Sequence, residues 1–223
     1  MDLPVTPSRH RAPRWKRRKE ARPSEILAAA LAVFVERGFA ATRLEDVATR
    51  AGISKGTMYL YFENKEELFK AVVRTSIVPE LARAERIAAE HLGSMKELMR
   101  LLARGWWDVI VASPLSGIPK LMMAEAVNFP ELARFYYEEV VQRGHRVISD
   151  VLRRGIEAGE FRPLDIPLAT RLAIAPVLFA GMVKNSYQRC CDLPALPDSY
   201  PDAHMDIFLR GIANDHANGA ARA

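Results

Sequence analysis

The sequence predicts an all-α protein with an N-terminal three-helix helix-turn-helix unit and a larger helical domain behind it, about nine helices in all. Three observations predict it. Apolar residues recur at spacings of three and four, the period of one helix face. Ser, Thr, Asn or Asp precedes many of these stripes, and Gly or Pro follows them, as at helix starts and stops. No stretch shows the strict alternation of a half-buried strand.

Residues 1–22 carry Pro4, Pro7, Pro13 and the run Arg14-Trp15-Lys16-Arg17-Arg18-Lys19 with few apolar residues, which predicts a basic arm without stable structure of its own. It reads either as an arm that tracks phosphates or as a solubilising tail. Pro23-Ser24-Glu25 opens the first helix, which runs to about Arg37 with Ile26, Leu27, Ala30, Leu31, Phe34 and Val35 as its stripe. Gly38 ends it, and Phe39 is expected to plug the small core that follows. Thr42 stands as an N-cap with Glu45 three residues on, the spacing of a capping box, before a helix that carries Val47 and Ala48. Gly52 suits the left-handed conformation that ends a helix. Ser54 caps the next helix, Lys55 to about Phe62.

Two helices joined by such a turn form a helix-turn-helix, whose second helix fits a DNA major groove. That helix offers Lys55, Thr57, Tyr59 and Tyr61, with Met58 expected to pack inward. Asn64 caps a fourth helix from Lys65 to about Glu90, kinked at Pro79. Ser94 caps a fifth that bears Met95, Leu98, Leu102, Trp106 and Val109 and stops before Pro114. A short Met-rich helix spans 118–127. A long one runs from Glu131 to about Ala158 and closes at Gly159. Another runs from Asp165 to about Tyr187 across Pro176, and the last from about Asp202 to Asn214, with a frayed tail at 217–223. The division read from this pattern is 1–22 arm, 23–68 DNA-binding unit, 69–216 ligand-binding and dimerisation domain.

Charge supports the division. Residues 1–65 hold 13 Lys/Arg against 7 Asp/Glu, whereas residues 66–223 hold 19 against 20. The positive charge therefore lies with the helix-turn-helix, the footprint of a phosphate-binding module on a near-neutral body. The two cysteines, Cys190 and Cys191, are adjacent, which excludes a disulfide scaffold. They read as an oxidant or metal sensor or as idle thiols. The five histidines show no metal-ligand spacing, and no cofactor or metal is expected. No apolar run reads as long enough to span a membrane, and the basic N-terminus lacks the apolar stretch of a secretory signal, so the expected location is the cytoplasm.

The block Glu45-Asp46-Val47-Ala48, Ala51 to Phe62 and Asn64-Lys65-Glu66-Glu67-Leu68, with Ile26 to Ala30, Phe34, Gly38-Phe39 and Thr42 upstream, resembles the TetR family of bacterial transcriptional regulators. The resemblance covers roughly residues 24–70. It implies an all-helical homodimer that binds palindromic double-stranded operator DNA and releases it on binding a small-molecule effector. It places Lys55, Gly56 and Tyr59 at base edges, and Thr42, Ser54, Thr57, Tyr61 and Lys65 at phosphates. Physically, Lys55 suits guanine O6 or N7, and the Tyr59 ring a thymine methyl. Glu63, beside Lys65, weakens the local positive field.

In the C-terminal part, Trp106, Trp107, Met122, Met123, Phe129, Phe135, Tyr136 and Tyr187 read as walls of an apolar ligand cavity or as core, with Trp107 the better candidate because it lies off the stripe of Trp106. Asp108, Glu125, Asn128, His145 and Asn185 are polar candidates beside them. Leu168, Leu172, Ala175, Phe179, Met182 and Val183, with Met205, Phe208, Leu209 and Ile212, form two stripes that the resemblance assigns to a dimer interface; intramolecular core is the other reading. No nucleophile–base pair or phosphate loop points to an enzyme. An effector-independent DNA-coating protein remains an alternative.

Overall fold

The computed structural model describes residues 14–214, with side chains from Pro23 onward; the first thirteen residues of the arm and the tail after residue 214 lie outside the described residues. The α-helices are α1 (Arg14–Arg37), α2 (Leu44–Arg50), α3 (Lys55–Tyr61), α4 (Lys65–Ser76), α5 (Val78–Glu90), α6 (Met95–Trp107), α7 (Gly117–Glu125), α8 (Pro130–Tyr136), α9 (Gln142–Glu157), α10 (Ile166–Lys184), α11 (Tyr187–Cys190) and α12 (Tyr200–Ile212). The all-α class holds, with one isolated antiparallel bridge, Phe161 to Ala213, as the extended pairing among the described residues.

The structure differs from the expectation in several places. α1 begins at Arg14, so residues 14–22 are helical and Pro23 lies inside the helix. The Lys-, Arg-, Glu- and Ala-rich run before Pro23 is a good helix former, and Pro23 removes one backbone donor without ending the helix. The kink expected at Pro79 is a break: α4 stops at Ser76, and Pro79 stands in the first turn of α5, where its missing N–H is not needed. α6 widens into a π-turn over Asp108–Ala112, and α8 joins α9 through a second over Tyr137–Val141. Finally, the stretch Ile166–Cys190, with mean hydropathy 1.8, is long and apolar enough to cross a membrane by length and composition alone, contrary to the sequence reading. Its hydrophobicity has a local use, since Ala169, Ala173, Ile174, Val177 and Ala180 are buried between α9 and the first π-turn.

Three apolar clusters form the core. The first joins α1–α4 to α5, α7 and α8 and contains Ile26, Phe34, Phe39, Val47, Met58, Leu68 and Phe69. The second packs α5, α6, α9, α10 and α12 around Leu98, Met99, Leu152, Phe161 and Met205. The third is small: Trp107, Ile110, Val111, Val177 and Ala180. Gly38 and Gly52 take φ of 83° and 65°, the left-handed turns at which α1 and α2 end.

Candidate nucleic-acid interface and internal cleft

α3 is pinned by one residue and presents the rest. Met58 is fully buried, in the same core cluster as Val47 and Ala48 of α2. Leu60 lies two residues on, about 200° round the helix, and is 85% exposed. Lys55, Gly56, Tyr59 and Tyr61 also face solvent. Ser54 is the N-cap: its Oγ accepts from Thr57 N–H at 3.0 Å and pairs with Thr57 Oγ1 at 2.8 Å. A Cβ added at Gly56 would meet only Ser54 Oγ, at 3.9 Å, so nothing within the fold demands glycine there.

The unit is braced by ion pairs that the sequence did not foretell. Arg37 pairs with Asp46 at 2.8 Å and Glu36 with Arg50 at 2.5 Å, which locks α1 to α2 and occupies two cations. On the exposed face of α3, Lys55 Nζ donates to Glu45 Oε1 at 2.7 Å, and Tyr59 O–H donates to the same oxygen at 3.2 Å. The bonded Lys55 ammonium holds the Glu45 carboxyl below the usual carboxylate range, and the carboxylate raises Lys55 in turn, so both are charged near neutrality.

Two expected phosphate contacts are turned inward. Thr42 is buried and its Oγ1 donates to Gly38 O at 2.6 Å; the residue before α2 is Arg43, whose N–H donates to Asp46 Oδ2 at 3.3 Å. Only the carboxylate half of a capping box is present, one residue later than the sequence suggested, and Glu45 faces α3 instead. Lys65 Nζ donates to Phe39 O and Ala40 O, both at 2.9 Å, and sits 4.7 Å from the Phe39 ring centroid and 5.4 Å from that of Phe129. The α1–α2 loop is thus gripped from α4. It is gripped from α7 as well, because Ala40 N–H donates to Glu125 Oε1 at 3.0 Å. Arg43 and Leu60 are exposed, and the sequence reading gave neither a role. The helical angle between Met58 and Leu60 was the available signal.

Behind this unit, a cleft of about 210 Å³ lies between α5 and α6. Ile77, Leu81, Ala84, Leu102, Trp106 and Val140 line it, with Asp108 at the first π-turn. Of the eight residues read as possible cavity walls, Trp106 alone is among the lining. Trp107 stacks on Tyr200 at 5.4 Å instead, Met122 and Tyr136 are buried in the first cluster, and Phe129 packs edge-on against Phe39 at 4.7 Å. Met123 and Tyr187 are exposed. Among the polar candidates, Asp108 lines the cleft, Glu125 holds the α1–α2 loop, and Asn185 Nδ2 donates to Gly181 O at 2.9 Å. Cys190 and Cys191 are exposed free thiols, and among the described residues no group of three or more His, Cys, Asp or Glu forms a metal cluster.

The expected interface stripes divide as well. Leu168, Leu172 and Phe179 are exposed, at 53%, 56% and 63%, and Ile207 joins them at 76%. Met182 and Phe208 are half-buried, whereas Met205, Leu209 and Ile212 belong to the second core cluster.

Comparison with known proteins agrees with this arrangement. The family described as bacterial regulatory proteins, tetR family, matches residues 26–72, and the tetracyclin repressor-like C-terminal domain matches residues 89–186. An uncharacterised helix-turn-helix regulator of Bacillus subtilis, YfiR, is 32% identical over 77% of this chain and 82% of its own. The chain belongs to the TetR family. It is a DNA-binding transcriptional regulator. The repressor KstR2 of Mycobacterium tuberculosis is 32% identical over 68% of this regulator and 75% of itself. A solved structure of KstR2, described as a ketosteroid transcriptional regulator, superposes with a TM-score of 0.68 at 28% identity, covering 86% and 95% of the two chains. The Bacillus subtilis regulator FadR, solved in complex with stearoyl-CoA, shares the fold with a TM-score of 0.70 at 21% identity, covering 85% and 98%.

Proposed function

We propose that this regulator is a cytoplasmic homodimeric repressor that reads a palindromic operator through α3 and leaves it when an apolar effector enters the α5–α6 cleft. The observation that carries the DNA half is the exposed face of α3, with Lys55, Gly56, Tyr59 and Leu60 outward and Met58 as the single buried anchor. Ser54, Thr57, Tyr61 and Arg43 flank it as phosphate contacts. In this division of labour, residues 23–68 bind DNA and residues 69–216 bind effector and dimerise.

Dimerisation through α10 and α12 is supported by the exposed Leu168, Leu172, Phe179 and Ile207, a set of large apolar side chains of the kind that marks an interface. A two-fold dimer places the two α3 copies in successive major grooves about 34 Å apart.

The apolar lining of the cleft suits an apolar effector, and the fatty-acyl ligand of FadR makes a long-chain acyl compound the first candidate. The cleft is smaller than the roughly 300–1,000 Å³ of drug-sized ligand sites, so entry must part α5 from α6. Ile77 lines the cleft and is also the residue that joins α4 to α5. Its displacement moves α4, whose far end carries Lys65 and with it the α1–α2 loop. The effector acts only if it binds the widened state more tightly than the DNA-bound one.

Selection from a random duplex pool at physiological salt tests the DNA half. A palindrome with half-sites one helical turn apart is expected, and no enrichment would contradict it. On the selected operator, Lys55→Ala should relax one base position by about 1–3 kcal/mol; an even loss over all sequences would remove Lys55 from the base edge. Gly56→Ala should leave thermal stability unchanged or raised, because alanine is the better helix former, yet weaken operator binding. Unchanged binding would mean that α3 does not approach the groove closely there. Titrating the complex with stearoyl-CoA at fixed salt should release the DNA, and unchanged operator affinity at saturation would count against the acyl assignment.

A further inference from the structure

The reading face contains an acid. Glu45, the second residue of α2, reaches across to the first turn of α3 and holds both Lys55 and Tyr59 on one carboxylate oxygen. A carboxylate brought close to a phosphate-lined groove is costly unless it accepts a hydrogen bond there. The major groove offers such a donor. At a G·C pair, guanine shows N7 and O6 as acceptors and cytosine shows N4–H beside them as a donor. An ammonium next to a carboxylate, 2.7 Å apart, is the complement of that row. At a T·A pair the ammonium would meet O4 and the thymine methyl in place of two acceptors.

The geometry points to Glu45 and Lys55 acting as one reader of a single G·C base pair, Lys55 donating to guanine O6 and N7 while Glu45 accepts from cytosine N4–H. This rests on the reading of α3 as the helix in the groove and adds to it a specificity residue from α2. Tyr59 holds the carboxylate oxygen toward Lys55, which sets the spacing before DNA arrives.

The test uses the full-length protein and the operator selected by it. Lys55→Ala first locates the G·C pair at which preference is lost. Glu45→Ala should lose preference at the same pair, by about fivefold or more. Glu45→Gln, which keeps a neutral acceptor, should retain most of it. Placing N4-methylcytosine at that position should weaken wild-type binding and leave Glu45→Ala unaffected. If both Glu45 variants instead raise affinity evenly on every duplex, Glu45 is a charge brake and the proposal falls. It falls too if Glu45→Ala keeps the full preference, and in either of these cases the palindrome and the reading of α3 survive. If the wild type enriches no sequence, both fall together.

Discussion

Phe39→Ala should be the most damaging single substitution in the DNA-binding unit, lowering stability by about 3–5 kcal/mol and the melting temperature by roughly 10 °C. Phe39 is fully buried. It stacks on Phe34 at 5.5 Å and meets Phe69 and Phe129 edge-on at 5.7 and 4.7 Å. Truncation removes the ring common to three contacts and leaves a cavity where α1, α4 and α8 meet. The neighbouring rings are themselves held by the helices that bear them, so collapse into the gap is limited. Chemical denaturation measures the loss. A change below about 1 kcal/mol would show that the phenylalanine cluster is not the keystone of this unit. Because Phe39 lies in the loop that Lys65 and Glu125 hold, operator affinity should fall with stability.

Lys65→Met should cost about 2 kcal/mol of stability, since it strips the charged donor from two carbonyls and the cation from two ring faces. The cost is modest because Lys65 is half-buried and the Ala40 carbonyl lies in an exposed contact. The diagnostic consequence concerns salt. A lysine on a phosphate, when removed, reduces the slope of log affinity against log salt by about one. Lys65 is committed to Phe39 O and Ala40 O, so the variant should bind operator more weakly with the slope unchanged. On the proposed mechanism it should also respond less to effector, because its side chain ties α4 to the α1–α2 loop. A slope reduced by one, at wild-type stability, would restore Lys65 to the phosphate backbone.

These outcomes mark what could be read from residues alone. The turn at Gly52, the cap at Ser54 and the inward Met58 were legible because each follows from local chemistry: a left-handed glycine, a hydroxyl on a free amide, a helical period. The inward contacts of Thr42 and Lys65 were not legible, for the opposite reason. Their partners, Gly38 O for one and Phe39 O and Ala40 O for the other, are set by how the α1–α2 loop folds back, a matter of tertiary geometry. The choice between Trp106 and Trp107 turned on how α6 meets α5 and α12, where Trp107 finds Tyr200 and Trp106 the cleft. The apolar stripe of α12 gave no sign of which residues face α6. Met205 and Leu209 do, and Ile207 is left outside. Glu45 was legible only as a capping residue; with Asp46 accepting from Arg43 N–H in its place, Glu45 pairs with Lys55 of α3.

Dimethyl sulfate probing of guanine N7 on the selected operator tests the groove-reading claim most directly. Wild-type protein should protect a guanine N7 in the major groove of each half-site. Lys55→Ala should expose that guanine while the flanking backbone protection persists. An unchanged pattern with Lys55→Ala, or half-sites in which no major-groove guanine is protected at all, would contradict the placement of α3 against the bases.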